Sequence, residues 1–194
     1  MLQIKFLDLS KQQKTIEKNL KLNLDKVLSD SKFIMGPEVK KLEVSLENYT
    51  KAKYCISCSS GTDALILSLR ACSIGSGDEV ITSPFTYFAT AEAIALVGAK
   101  PIFADINPHT FNINYKNVES LITKKTKAIM PVHIFGQAAE MIPLKKLCRK
   151  YNLKLIEDCA QSFGAKIDKT YTGTLGDFGC FSFFPTKNLG CAGD

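Results

Sequence analysis

The chain has 194 residues, 45% hydrophobic and 23% charged, enough for one domain with a sizeable core. Its 25 basic and 19 acidic residues leave a net charge of +6, but the lysines are spread out with no nucleic-acid motif beside them, so a solvated surface is expected and no nucleic-acid partner. No apolar run reaches membrane-spanning length and the first residues lack a signal-peptide layout, so a cytoplasmic location and no membrane partner are expected.

Residues 12–28 are predicted to be helical, with Ile16, Leu20, Leu24, Val27 and Leu28 on one face and lysines opposite. After a break at Gly36, a second helix is expected over 38–49 through Val39, Leu42 and Leu46, with Pro37 in its first turn. These helices form an N-terminal segment of about residues 1–50. Strands are then expected at 54–57, 79–82, 101–104, 128–132, 153–157 and 179–183, and helices at 63–71, 86–97, 117–122 and 141–151. Such alternation predicts a mostly parallel sheet covered by helices on both faces, a three-layer αβα domain. No repeat, low-complexity tract or linker divides residues 1–194.

Seven cysteines, an odd number, are expected to be reduced. Cys55 and Cys58 match C-x-x-C, but no second pair has ligand spacing and only His109 and His133 offer imidazole. Small apolar core residues are therefore expected rather than a metal site.

Five positions along the chain carry candidate chemistry. The run from Ser57 through Ser59, Ser60, Gly61, Thr62 and Asp63 joins a strand to a helix; it is either a plain N-cap or an anion site of free N–H groups and hydroxyls. Tyr87 can stack on a flat ring, whereas core packing is expected for Phe85 and Phe88. His133 is expected to be a hydrogen-bonded structural residue rather than a proton carrier. Glu157 and Asp158 end an apolar run, where open α/β sheets bind ligands. Last, an aromatic run delivers Lys187 into a glycine-rich loop, with Ser182 five positions before it as a further anion donor. A lysine able to form a Schiff base and an acid for a pyridinium nitrogen are the pair that pyridoxal-phosphate chemistry requires.

The motifs Ser-Ser-Gly-Thr-Asp-Ala-Leu from Ser59, Gly-Asp-Glu-Val-Ile-Thr-Ser-Pro-Phe-Thr-Tyr from Gly77, Glu-Asp-Cys-Ala-Gln-Ser from Glu157 and Ser-Phe-Phe-Pro-Thr-Lys-Asn-Leu-Gly from Ser182 occur in that order. Together they resemble the DegT/DnrJ/EryC1/StrS family of sugar aminotransferases, which have the fold type I arrangement of pyridoxal-phosphate enzymes. The resemblance runs from about Phe6 to the last residue and implies pyridoxal 5'-phosphate as cofactor. Lys187 would hold it covalently and move protons, and Asp158 would pair with the pyridine nitrogen. Gln161 would contact the ring's 3' oxygen, Tyr87 would stack on its face, and Gly61, Thr62 and Ser182 would bind the phosphate. Ser60 stands where the family commonly has asparagine, so its share in the cup is the point of departure.

The resemblance further implies transfer of an amino group from L-glutamate to a keto group of a nucleotide-linked sugar for bacterial surface polysaccharide, including lipopolysaccharide, by a homodimer. The nearest look is to the branch acting on UDP-linked 3-keto-N-acetylglucosaminuronate. Sugar dehydratases of the same family replace the lysine, and Lys187 speaks against them. Family members are roughly twice this length, with a C-terminal small domain, whereas this chain ends seven residues after Lys187. The expectation is a truncated large domain with the small domain absent, and no turnover by the chain alone. The alternative is an inactive remnant that binds the cofactor or dimerises without turnover.

Overall fold

The computed structural model describes residues 4–193. Helix α1 (Ser10–Asp30) ends where Ser31 turns left-handed at φ 52°, and α2 (Pro37–Thr50) begins with Pro37 and ends at Lys51 with φ 64°. The apolar stripe of α1 is present as read, but none of its residues is buried.

The expected strand at 54–57 does not form. The N–H of Cys55 donates to Glu47 Oε1 at 2.9 Å and that of Ser57 to Glu43 Oε1 at 3.0 Å, so carboxylates of α2 take the place of a neighbouring strand. Tyr54 and Ile56 point outward, 71% and 82% exposed. Alternating apolar residues make a strand only where another strand supplies a ladder.

From Gly61 the alternation holds. In chain order the elements are α3 (Gly61–Ala71), β1 (Glu79–Thr82), α4 (Ala89–Leu96), β2 (Lys100–Phe103), α5 (Tyr115–Val118), β3 (Thr126–Met130), α6 (Met141–Tyr151), β4 (Lys154–Asp158), a short β5–β6 hairpin (Lys166–Ile167 and Thr170–Tyr171) and β7 (Phe178–Cys180). Helix α4 starts later than the predicted 86, because Pro84 and the Ser83 hydroxyl, which accepts from the Phe85 N–H at 3.2 Å, hold the preceding loop. Strand β7 stops at Cys180, whose carbonyl accepts from the Cys159 N–H at 2.8 Å, and does not run to 183.

The five-stranded sheet has the order β2-β1-β3-β4-β7, and every pairing in it is parallel. Successive residues face opposite sides. Val80, Ala128, Met130 and Ile156 pack with Leu65 and Leu69 of α3 and Ala93 and Ile94 of α4. Ile81, Ile129 and Leu155 pack with Val118 of α5 and Met141, Leu144 and Cys148 of α6. This is the expected three-layer αβα domain. From β1 the chain steps outward to β2 and then crosses to β3 on the other side, so the C-terminal ends of β1 and β3 flank a topological switch point. Among the described residues no helix is long and apolar enough to cross a membrane.

All seven cysteines are free. Cys148, Cys159 and Cys180 are buried as expected, and burial pushes the thiols of Cys148 and Cys180 up to about 12. Cys58 and Cys191 depart from the core expectation, because both lie on exposed loops.

Candidate active site

The loops leaving the C-terminal ends of the parallel strands bring most of the chemistry-bearing residues to one edge of the sheet. Asp158 is the last residue of β4 and is buried. Its Oδ1 accepts from the Ala160 N–H at 3.1 Å and its Oδ2 from the Thr90 hydroxyl at 2.8 Å. Desolvation pushes this carboxyl above its ordinary range, opposed by those two donors and by the charge of Lys187. Lys187 itself is half-buried, in a loop closed by its own N–H to Phe184 O at 2.8 Å and by the Cys191 N–H to Phe183 O at 2.8 Å. Behind it, Phe181 and Phe183 each meet Phe163 edge-on with ring centroids 5.8 Å apart, which anchors the loop to the domain.

A folded-state pKa above the unfolded value means that this group's contribution to stability is complete below the unfolded value and is lost as pH rises through the folded one. Asp158→Asn is therefore expected to melt at a higher temperature than the parent chain at neutral pH, with the gap closing in acid. Thermal melts across that range check the sign; a variant that melts lower at neutral pH would contradict it.

Ser60 caps α3, its Oγ accepting from the Asp63 N–H at 3.1 Å, and Ser59 also bonds the Asp63 carboxylate. The N-cap reading of this run is thus correct for Ser60. The N–H groups of Gly61 and Thr62, first in the helix, have no carbonyl behind them and remain available to an anion. A Cβ on Gly61 would lie 2.7 Å from Ser182 Cβ, so this glycine lets the chain leaving β7 pass against the helix N-terminus. Gly61 and Ser182, far apart in sequence, are in this way brought together, with Thr62 next in the chain after Gly61. Gly61→Ala must push the two segments apart. It is expected to destabilise the domain by about 1–3 kcal/mol and to weaken phosphate-dependent ligand binding, read by denaturant unfolding and by ligand titration.

Gln161 lies in the turn after β4 and uses Oε1 to accept from the Phe135 N–H at 3.3 Å, so its amide N–H groups are left to donate. Tyr87 is 75% exposed in the loop between β1 and α4, a free aromatic face. The core expectation for its neighbours is corrected. Phe88 is 71% exposed, and Phe85 joins Phe111 and Phe135 in a surface cluster with centroids 5.4 and 6.1 Å away.

His133 has the structural role expected of it. Its Nδ1 accepts from the Ala139 N–H at 3.0 Å, so the other nitrogen carries the proton that meets Glu157 Oε2 at 2.9 Å. Glu157 also accepts from the N–H groups of Gly173 at 2.8 Å and of Leu175 and Gly176 at 2.7 Å. Ligand-type atoms of His133, Glu157 and Cys159 lie within 4.8 Å of one another, but the hydrogen bonds of the first two make this a buried pin, not an open metal site. The sequence reading missed the partners of Glu157 and missed Thr90. The only local signal for Thr90 is its i,i+4 spacing from Thr86, whose hydroxyl lies 2.9 Å from its own.

A lysine loop and a buried strand-end acid at one edge of a parallel sheet, beside a glycine-opened helix N-terminus, define an α/β domain of the aminotransferase class. Solved structures place it there: DesV of Streptomyces venezuelae superposes with TM-score 0.97 at 34% identity over 100% of this chain and 52% of its own. NtdA of Bacillus subtilis, solved with bound cofactor PMP, superposes with TM-score 0.93 at 35% identity over 100% of this chain and 44% of its own. The chain belongs to the DegT/DnrJ/EryC1/StrS aminotransferase family, whose model matches residues 14–194.

Among curated proteins, a pleiotropic regulatory protein of Geobacillus stearothermophilus is 48% identical over 98% of this chain and 51% of its own length. The UDP-2-acetamido-2-deoxy-3-oxo-D-glucuronate aminotransferase of Pseudomonas aeruginosa is 47% identical over 98% of this chain and 53% of its own. The UDP-N-acetyl-3-dehydro-alpha-D-glucosamine 3-aminotransferase of Acidithiobacillus ferrooxidans is 47% identical over 88% of this chain and 46% of its own. The chain spans about half the length of these relatives.

Proposed function

We propose that this chain is the cofactor-binding half of a pyridoxal-phosphate-dependent aminotransferase acting on a nucleotide-linked sugar. The observation that carries the reading is that Asp158 at the end of β4, the Lys187 loop after the neighbouring β7 and the Gly61–Ser182 approach lie at the same end of one parallel sheet. The residues fit the cofactor. The open end of α3 suits a phosphate dianion, the Gln161 amide suits a phenolate oxygen, and Asp158 suits a protonated ring nitrogen.

When bound, pyridoxal phosphate supplies an aldehyde that takes up the amine and a ring that accepts electrons. The chain's own residues would do the rest. Gly61, Thr62 and Ser182, beside the Ser60 cap, would hold the phosphate; Tyr87 would cover one ring face; Asp158 would keep the ring nitrogen protonated; and the Lys187 Nζ would hold the cofactor covalently and carry the proton. Glutamate is the favoured amino donor. A UDP-linked sugar with a 3-keto group is the favoured acceptor, supported by the names of the two relatives at 47% identity, and surface-polysaccharide assembly, including lipopolysaccharide, in the cytoplasm is the setting it suits. A homodimer fits the unburied apolar stripe of α1, where Ile16, Leu20, Leu24 and Leu28 all stand exposed.

The test is an absorption titration of the purified chain with pyridoxal phosphate, followed by borohydride and mass spectrometry, then by glutamate. A yellow band, an adduct fixed on Lys187 and bleaching by glutamate support the reading. No fixed adduct would overturn it for this chain.

A further inference from the structure

Resting on Asp158 as the partner of the cofactor's ring nitrogen, we propose that Thr90 is a positioning residue that orients the Asp158 carboxylate towards that nitrogen and ties it to the turn bearing Tyr87. A carboxylate at a strand end can rotate about two torsions unless donors fix its plane. Here each oxygen has one donor, the Ala160 N–H on Oδ1 and the Thr90 hydroxyl on Oδ2, the latter from a helix 68 residues away in sequence. Thr90 is 1% exposed, so its hydroxyl has no water to turn to. Of its two acceptors the carboxylate at 2.8 Å is nearer than Tyr87 O at 3.3 Å, and a charged acceptor is the stronger one. The Thr86 hydroxyl at 2.9 Å then donates to Thr90 from behind, completing a chain Thr86–Thr90–Asp158.

Thr86, Tyr87 and Thr90 belong to a single turn, closed by the Thr90 N–H to Tyr87 O at 3.2 Å. The latch therefore sets the aromatic face and the carboxylate relative to each other. It also offsets the burial that would otherwise favour a neutral acid, which could not hold a protonated ring nitrogen.

The experiment compares binding of pyridoxal phosphate with binding of its analogue that has C–H in place of the ring nitrogen, by absorbance titration of the parent chain, Thr90→Val and Thr90→Ser. The parent is expected to prefer pyridoxal phosphate. Thr90→Val should cut that preference about tenfold, the size of one charge-assisted hydrogen bond, and Thr90→Ser should restore it. A role confined to packing would weaken both ligands equally, so an unchanged ratio in Thr90→Val overturns the inference. A parent chain without any preference would instead overturn the reading of Asp158 beneath it. If Thr90→Val fails to fold, Thr86→Val takes its place: a lowered ratio supports the latch, and an unchanged one overturns it.

Discussion

Lys187→Ala is expected to abolish the borohydride-fixed adduct and to slow amine transfer from glutamate by about 10²–10⁴-fold or more, the size of a lost positioned proton carrier alone. The substitution removes the one amine that the loop after β7 presents to Asp158, whose carboxylate feels its charge. It leaves the fold intact, because the loop is held by backbone bonds at Lys187 N–Phe184 O and Cys191 N–Phe183 O, not by the lysine side chain. Phosphate-dependent binding should therefore persist without covalent attachment. Mass spectrometry after reduction reads the first effect and a single-turnover assay the second. An adduct of undiminished yield in Lys187→Ala would place the reactive amine elsewhere.

Glu157→Ala is expected to produce the largest loss of stability of any single change near the site, about 3–5 kcal/mol, because four donors lose their buried acceptor at once. Three N–H groups and His133 lose their shared acceptor carboxylate. For a domain of this size that corresponds to a fall in melting temperature of roughly 6–20 °C. Glu157→Gln should recover part of it, since an amide keeps one accepting oxygen but turns a donor towards other donors. Glu157 and Asp158 thus split two tasks at one strand end. The first pins the loop at Gly173–Gly176, and the second faces the proposed ligand edge. Differential scanning calorimetry distinguishes them, because Asp158→Asn is expected to raise the neutral-pH melting temperature that Glu157→Ala lowers.

Much of this was legible in the residues. The alternation of apolar runs with helical periods predicted the parallel sheet and its two helical layers, and the αβα core forms through the strand alternation that places Val80 and Ile81 on opposite faces. The motifs around Gly61, Asp158 and Lys187 pointed to the proposed chemistry because Gly61 opens α3, Asp158 ends β4 and Lys187 lies in the loop after β7, places where backbone groups and side chains are free to meet a ligand.

Tertiary structure decided what depends on a partner distant in sequence. Residues 54–57 have a strand's pattern, but no ladder reaches them, and Glu43 and Glu47 bind their N–H groups instead. Phe88 has a core residue's composition but lies on the exposed loop before α4. Thr90 looks like any helix threonine until the fold sets it against Asp158, and Glu157 looks like the twin of its neighbour until the loop after β6 wraps its carboxylate. Periodicity is a local property and survives in the sequence. Hydrogen-bond partnership between segments 8 to 68 residues apart is settled only when the chain folds, because nothing in either segment alone specifies the other.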